Sequence, residues 1–307
     1  MSDLAIIIVN YNTRELLDNC LQSIRRSDGN LEMEVVVVDN ASSDDSADMV
    51  RAKHGWVHHL LEADHNGGYA YANNLGLRHL GYASDESPAS LPRYVLLLNP
   101  DTKLPEDALA NMVAFMDEHE DVGVAGPKLV RRDGSLDKAC RRSFPTPLVS
   151  FYHLSGLGKL FPKSQRFGRY NMTYLSPDRQ ADVDAVVGAF MLMRSEALEQ
   201  VGLLDESFFM YGEDLDLCYR IKQRDWRVVY NPKVTVLHLK GAASRKASRR
   251  AIIAFYDAMR IFHNKHYRSQ TFFLINWGID VGVFLLQQWA LFLDRLRPPE
   301  HKRVASA

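Results

Sequence analysis

Short hydrophobic runs in this chain stop at residues able to hold a ligand. Val35 to Val38 runs into Asp39-Asn40, Tyr94 to Leu98 into Asn99-Pro100-Asp101, and Val234 to Leu237 into His238. Short aliphatic runs bounded by turn signals read as buried strands. In open α/β sheets, ligands gather outside the carboxyl ends of such strands. The chain therefore points to one edge of one sheet. That edge is acidic, carries a histidine, and has the donor chemistry of a cation and phosphate site.

The rest of the first half supports a layered α/β arrangement. Leu4 to Val9 reads as the first strand and ends at Asn10-Tyr11-Asn12. Leu16, Leu17, Cys20, Leu21 and Ile24 then recur at helical spacing. The Val35–Val38 strand is followed by a polar stretch and a helix through Met49, then a weak strand at Leu60-Leu61. His65-Asn66-Gly67-Gly68 leads into a helix from Ala70 to His79, and Ser84 to Pro92 is a polar, proline-containing loop. After Tyr94–Leu98, Pro105 fits the first position of a helix running to His119. Alternating strands and helices predict a mainly parallel, doubly wound sheet.

The middle is less regular. Arg131 to Asp182 carries four prolines, several glycines and aromatics, and reads as a long excursion of the kind that forms lids or binding segments. Val183 to Met193 then reads as a strand, with Ser195 as a helix cap and Gly202 as a helix stop. Glu213 to Arg224 is a helix, and Val228–Tyr230 and Val234–Leu237 are short strands. From Gly241 the chain turns small and basic, then helical over Arg250–His266 and Thr271–Arg295. The natural division is a domain over 1–240 and a basic loop with a helical extension over 241–307.

Composition narrows the partners. A net charge of −1 gives no general attraction to nucleic acid. The three cysteines, Cys20, Cys140 and Cys218, form no CxxC pair, so neither a zinc site nor a disulfide framework is indicated, and a reducing, cytosolic compartment is expected. Met1-Ser2-Asp3 shows no basic leader or cleavage pattern.

Among the candidate site residues, Asp101 is placed to bind a hard divalent cation, or else to make a turn. Mg²⁺ takes one or two protein carboxylates and lets substrate phosphates complete its shell. His238 is the natural second ligand if its strand lies nearby, and an imidazole favours Mn²⁺ over Ca²⁺ while tolerating Mg²⁺. Asp39 can accept from a pyrimidine imide N–H, bind a ribose hydroxyl, or simply close an Asx turn. Asn66-Gly67-Gly68 permits close backbone approach to a ligand. There is neither a GxGxxG nor a GxxxxGK[ST] pattern.

Glu213, Asp214 and Asp216 open a helix, where the macrodipole favours negative charge. Asp214 shares the apolar face of Leu217, Cys218 and Ile221, so it points inward. Glu213 and Asp216 fall on another face, where Asp216 can pair with Arg220 at i, i+4. An inward, ionised carboxylate suits a general base. The basic run Arg245–Arg250 offers charge to a departing diphosphate, or to lipid headgroups.

These residues, in this order, resemble inverting family 2 glycosyltransferases of the GT-A fold, in the bacterial rhamnosyltransferase-like branch. The resemblance runs from Ile6-Ile7-Ile8-Val9-Asn10-Tyr11-Asn12 through Val38-Asp39-Asn40-Ala41-Ser42, Asn66-Gly67-Gly68-Tyr69-Ala70 and Leu98-Asn99-Pro100-Asp101 to Gly212-Glu213-Asp214 and His238. It covers residues 4 to 245. It implies that Asn10, Asp39, Asn66, Gly67, Asn99, Asp101, Arg245 and Arg249 bind the donor, with Asp39 on the nucleotide base. It further implies that Asp101 and His238 hold Mg²⁺ or Mn²⁺, and that Asp214 deprotonates the acceptor hydroxyl. Asn99 replaces the first acid of the family's DxD motif, removing one charge from the metal; this is usual in the branch. The implied donor is dTDP-L-rhamnose, with UDP-sugars next, and the implied acceptor a cell-surface glycan or lipid-linked glycan contacted by Arg141–Asp182.

Residues 271–293 are strongly apolar, with Asp280 as the single charge. At that length they can span a bilayer, but a central Asp costs about 2.5–3.5 kcal/mol there. Surface-lying attachment at the inner face of the cell membrane is the first expectation; spanning and a packed, homodimer-forming helix are the others. Two rivals to the glycosyltransferase reading are nucleotidyl transfer and a non-catalytic nucleotide-sugar-binding scaffold at the membrane. The first wants a Gly-rich, Lys/Arg-bearing loop after the first strand, and Asn10-Tyr11-Asn12-Thr13 is not one.

Overall fold

The structure, a computed structural model, describes residues 2–83, 91–239 and 248–296. Its centre is β1 (Leu4–Asn10), buried at every position, as a strand covered on both sides must be. On one side β1 pairs in parallel with β2 (Met33–Asp39), which pairs in parallel with β3 (His59–Glu62); on the other it pairs in parallel with β4 (Tyr94–Leu98). The connections are α1 (Arg14–Arg25), α2 (Ser46–Lys53) and α3 (Tyr69–His79). α1 buries Leu17, Cys20, Leu21 and Ile24, the spacing its sequence shows.

Beyond β4 the sheet continues with β8 (Phe190–Arg194), β6 (Val122–Val130), β9 (Arg227–His238) and β5 (Thr102–Lys103), while β7 (Ala181–Asp182) pairs with β9. β8 runs antiparallel to β4 and β6, and β6 runs parallel to β9. β6 therefore points the same way as β1, β2 and β4. The mainly parallel character holds, with β8 as the long strand that reverses.

Three sequence expectations change here. β6 is a strand that its own composition hides, because Gly123, Gly126 and Pro127 argue against one. A Cβ at Gly123 would stand 2.8 Å from the Trp226 side chain, and one at Gly126 2.8 Å from Val186, so the glycines permit close packing. Val228–Tyr230 and Val234–Leu237 are one strand rather than two; the register against β6 shifts beside Pro127, where Pro232 and its neighbours bulge out. Val183–Met193 is not one strand, because between β7 and β8 the backbone pairs instead with Arg142 at Ala185 and meets side chains of the site at Val186 and Gly188.

Helix starts also differ. α4 (Ala108–Glu118) begins after a turn in which the Ala108 N–H donates to the Pro105 carbonyl, so Pro105 precedes the helix. Ser195 is the first residue of α7 (Ser195–Val201) and caps nothing; its hydroxyl bonds to the Pro92 carbonyl and Tyr82. Gly202 ends α7 as expected, at φ +78°. The Arg131–Asp182 excursion holds a one-turn helix at Lys138–Cys140, α5 (Pro147–Leu154), α6 (Leu157–Leu160) and β7.

After α8 (Glu213–Lys222) and β9 come α9 (Ser248–His266) and α10 (Phe273–Leu296). Ala258 and Phe262 of α9 join the main core. α10 packs on α9 through a small cluster of Ile252, Tyr256 and Val283. The expected boundary at 240/241 lies at the edge of the described residues. The three cysteines are free and buried, and burial pushes the Cys20 thiol up to about 12.

Candidate active site

The parallel strands deliver their carboxyl ends to one edge, and loops there are stitched side chain to side chain. At the end of β1, Asn10 Nδ2 donates to Asp39 Oδ1 and to Ser42 Oγ, both at 3.0 Å, while Thr13 donates to Asn10 Oδ1 at 2.6 Å. Asp39 Oδ2 accepts from the Ser42 N–H at 2.8 Å, closing the Asx turn that its sequence context allows. Asp39 thus shapes the loop at the end of β2.

Asn40 ties this loop to the next. Its Nδ2 donates to Asn66 Oδ1 at 3.0 Å and its Oδ1 accepts from the Gly67 N–H at 3.2 Å. Gly68 sits at φ +96°, and a Cβ there would stand 2.3 Å from the Phe209 carbonyl. The Tyr69 N–H donates to that same carbonyl at 2.8 Å. Close backbone approach is therefore real at Gly68, but the partner is the segment leading to α8. At Gly67 a Cβ would meet the Tyr71 ring at 2.3 Å.

The pairing of β5 with β9 brings Asp101 and His238 together, through the register Thr102 opposite His238 and a Leu239 N–H to Asp101 carbonyl bond of 2.8 Å. His238 Nε2 lies 3.3 Å from Asp101 Oδ1, without hydrogen-bond alignment. Its Nδ1 contacts Asp137 Oδ2 at 2.9 Å. Asp137 is a residue that sequence reasoning missed. It sits fully buried just past β6, where it also accepts from the Ala139 N–H. Burial opposes a charge on His238, but the carboxylates of Asp101 and Asp137 more than offset it and raise its pKa to about 9.

Asn99 Oδ1 and Asp101 Oδ1 are buried oxygens without a hydrogen-bond partner. Asp101 Oδ1 and His238 Nε2, 3.3 Å apart, are an oxygen and an imidazole donor of the kind that Mn²⁺ or Mg²⁺ accepts. Asp137 holds the other imidazole nitrogen, the usual arrangement behind a metal-ligating histidine. Among the described residues no cluster of three or more His, Cys, Asp and Glu is set to hold a metal by itself. The donor set is incomplete without substrate oxygens, as expected for Mg²⁺.

The loop before β8 joins this pair to α8. The Asn99 N–H donates to the Ala189 carbonyl at 3.0 Å, and the Gly188 N–H donates to Asp214 Oδ2 at 3.2 Å. Tyr69 donates from its hydroxyl to the Gly188 carbonyl at 2.8 Å. Burial, then the charges of Glu213, Asp214 and Asp101, push the Tyr69 pKa well up, so all three carboxylates act on one ring.

Asp214 points inward, as helical phase requires, and is 6% exposed. It is not alone there. Arg142 Nη2, also buried, donates to Asp214 Oδ2 at 2.7 Å and to the Val186 carbonyl, while Asp214 Oδ1 accepts from the Leu215 N–H. Glu213 is buried too, and its Oε2 has no partner; burial and the neighbouring Asp214 charge raise its pKa to about 8. Asp216, on the other face of the helix, is 0% exposed. It does pair with Arg220 at i, i+4, and α9 covers the face with Lys265 and His266 at 2.8 and 2.7 Å.

Of the basic run, Arg245 lies outside the described residues. Arg249 is exposed on the first turn of α9, and Arg250 stacks over the Phe209 ring at 4.1 Å. A separate cleft of about 730 Å³ lies at the start of β4, among Leu91, Arg93, Asp117 and Glu196. It is at the opposite end of that strand and collects none of the residues above.

The strand order β3-β2-β1-β4-β8-β6-β9, with its helices, is that of the GT-A fold, shared with solved glycosyltransferase structures. Residues 2–253 match the family described as "Glycosyltransferase like family 2", and the chain belongs to that family. It is 27% identical over 273 residues to the low-salt glycan biosynthesis hexosyltransferase Agl10 of Haloferax volcanii, covering 89% of this chain and 77% of the relative. It is 27% identical over 299 residues to the N-acetylglucosaminyl-diphospho-decaprenol L-rhamnosyltransferase of Mycobacterium tuberculosis, covering 96% of each. Among solved structures, the mannosyltransferase PcManGT of Pyrobaculum calidifontis, in complex with GDP-Man and Mn²⁺, superposes with a TM-score of 0.58 at 20% identity, over 94% of this chain and 72% of that one.

Proposed function

We propose that this glycosyltransferase moves a sugar, by preference L-rhamnose from dTDP-L-rhamnose, from a nucleoside diphosphate donor to a hydroxyl of a cell-surface glycan carried on a lipid. The observation that carries this reading is the juxtaposition of Asp101 with His238 at the sheet edge that also receives α8. The rhamnosyl preference leans on the names of relatives in Mycobacterium tuberculosis and Escherichia coli, the latter the rhamnosyltransferase WbbL, 26% identical over 238 residues. A UDP-sugar is the alternative donor.

In this reading Asp39, Asn10, Asn66, Gly67 and Asn99 line the nucleoside and ribose, with Arg245 and Arg249 toward the diphosphate. Asp101 and His238 hold Mg²⁺ or Mn²⁺, which when bound offsets the negative charge developing on the leaving diphosphate. Asp214 takes the proton from the acceptor hydroxyl as that oxygen bonds to the anomeric carbon and the bond to the diphosphate breaks, inverting the centre. Arg142 fixes Asp214 in place through its charge-assisted hydrogen bond to Oδ2. Asp137 fixes the imidazole of His238 so that Nε2 faces Asp101.

A second reading of the base rests on Glu213, whose Oε2 is buried and unpartnered. A carboxyl with a pKa of about 8 is largely protonated near neutrality, so it would serve as a base only in alkaline conditions.

The test is a panel of nucleotide sugars with Mg²⁺ or Mn²⁺, read by thermal shift and by slow donor hydrolysis, on wild type, Asp214→Asn and Glu213→Gln. We expect dTDP-L-rhamnose to stabilise all three with metal present, and transfer to a lipid-linked glycan to be lost in Asp214→Asn alone. Stabilisation by no nucleoside diphosphate sugar would sink the donor assignment. Transfer that climbs through pH 8 and disappears in Glu213→Gln would move the base to Glu213.

The outward apolar face of α10 supports peripheral attachment to the membrane. Asn276 and Gln287 turn toward α9, bonding to His263 and Arg260 at 2.7 Å, and Asp280 pairs with Arg268. Phe273, Trp277, Phe284, Leu285, Trp289 and Phe292 face out, each at least half exposed. Among the described residues no helix is long and apolar enough to cross a membrane. A polar face spent on the protein and an apolar face left outside suit a helix lying in a bilayer surface; a homodimer through the same face is the other occupant.

A further inference from the structure

The α5–α6 segment lies far from α10 in sequence and has its own surface chemistry. Residues 138–177 contain no Asp or Glu, in a chain where 38 of 307 residues are acidic. Over the same stretch Lys159, Lys163, Arg166 and Arg169 are exposed cations. A run of this length without an acid is not a balanced solvated surface, which intersperses both signs.

The same segment shows apolar side chains to solvent. α5 starts cleanly, with Pro147 at its first turn and Thr146 Oγ1 accepting from the Val149 N–H at 3.3 Å. It buries Val149 and Tyr152 and leaves Leu148, Phe151 and Leu154 outside. Leu160 and Phe161, at the end of α6, continue the exposed set; Phe151 and Leu160 are 60% and 69% exposed. The surface is also braced: Arg166 Nε donates to the Tyr152 hydroxyl at 2.7 Å and its guanidinium lies over the Tyr152 and Phe167 rings. The outward aliphatic and aromatic groups are therefore held out by a packed base.

We propose that α5–α6 is a second lipid-contacting surface, separate from α10, which seats on an anionic bilayer with its cations among the headgroups and Phe151, Leu160 and their neighbours at the acyl boundary. Basic residues near an anionic surface add attraction that neutral lipid does not give, and apolar insertion adds an area-dependent share. Charge complementarity selects the anionic bilayer over a second copy of this chain, because two acid-free cationic faces repel. The root of the segment lies in the active site: Arg142 bonds Asp214, and the Ser143 N–H donates to the Tyr170 carbonyl. A bilayer under α5–α6 therefore brings a lipid-borne acceptor near the proposed base. That consequence rests on the lipid-linked acceptor reading; the lipid contact itself does not.

Flotation of the full chain with vesicles tests it, using phosphatidylcholine alone and phosphatidylcholine mixed with phosphatidylglycerol. The variants are Lys159→Glu with Lys163→Glu and Arg169→Glu, and Phe151→Ser with Leu160→Ser, each also in a background where Trp277, Phe284 and Trp289 of α10 are changed to Ser. We expect the charge-reversed variant to lose about tenfold or more of its partition onto anionic vesicles. Its binding to neutral vesicles and its donor hydrolysis should be unchanged. In the α10 background, residual anionic binding should vanish only when α5–α6 is also changed. Undiminished flotation of both α5–α6 variants on anionic vesicles would overturn the proposal, as would a wild-type chain that self-associates and becomes monomeric in Phe151→Ser with Leu160→Ser. Failure of every donor in the hydrolysis assay would count against the enzymatic reading while leaving the flotation result to stand.

Discussion

At the residue scale, the site is a set of buried polar groups whose partners decide what each can do. Asp137 is the clearest case. It holds the Nδ1 side of His238, so Asp137→Asn should weaken Mn²⁺ binding about 10–100-fold, measured by calorimetry without any donor. Unchanged affinity would mean the contact is only structural. Glu213 makes a prediction of opposite character. Its pKa rises from 4.5 to about 8 in the folded chain, so the folded state holds a proton that the unfolded chain releases. Glu213's own contribution to stability is therefore fully present below about 4.5 and is lost as pH rises through about 8. Glu213→Gln should flatten that slope in urea titrations taken across this range. Asp39, Asp101 and His238 were legible because each ends a hydrophobic run. Asp137 was not, because it sits in an irregular stretch and its partner is 101 residues away, with no spacing to betray it. Arg142 was hidden likewise, one arginine among many until the backbone at 185–186 and Asp214 of α8 close on it.

At the scale of elements, α8 shows what helical phase reveals and what it cannot. Phase put Asp214 on the inward face and paired Asp216 with Arg220, and both hold. It placed Glu213 and Asp216 on another face without showing that either is buried, because nothing in ten residues announces that α9 will pack on Asp216. His266 and Lys265 make Asp216 a buried junction. Burial works against its charge, but the hydrogen bonds from His266, Lys265 and Arg220 prevail and lower its pKa to about 2. The stabilisation this gives is present above the ordinary value of 3.8 and is lost as pH falls through about 2. At neutral pH Asp216→Asn should cost roughly 1.5–3 kcal/mol in chemical denaturation, since its cationic partners keep some access to water. Gly68 belongs to the same scale. A Cβ there meets a backbone carbonyl, and the backbone is left-handed, so Gly68→Ala should cost about 1–3 kcal/mol and loosen α3 from the segment before α8. Hydrogen exchange at the Tyr69 amide, which bonds the Phe209 carbonyl, would report it. Acceleration no greater than at distant amides would show that the contact is not the constraint.

At the scale of the whole molecule, the chain hangs an inverted amphipathic helix on a core that does not need it. α10 meets α9 through a small apolar cluster and the Asn276 and Gln287 hydrogen bonds, and Trp277, Phe284 and Trp289 are all more than half exposed. Changing these three to Ser should leave the melting temperature within a few degrees of wild type, because surface substitutions cost about 0.5 kcal/mol or less. Vesicle binding should nonetheless drop, and a large fall in melting temperature would show the face to be structural. The alternation of strands and helices made the parallel half of the sheet readable from sequence. The second half was less so, since β6 is disguised by glycines that only a neighbour's side chain explains. The reversal of β8 has a consequence of its own. In a uniformly parallel sheet, the chain meets the ligand-bearing rim only as it leaves a strand. By running backwards, β8 meets that rim on the way in, and consecutive residues 188 and 189 greet α8 and the β4 turn respectively. The proposed base and the Asn99 turn that leads to Asp101 are thereby gauged against each other by two consecutive residues. Any slip of β8 by one residue would throw both out of alignment together, which makes this strand the molecule's internal ruler.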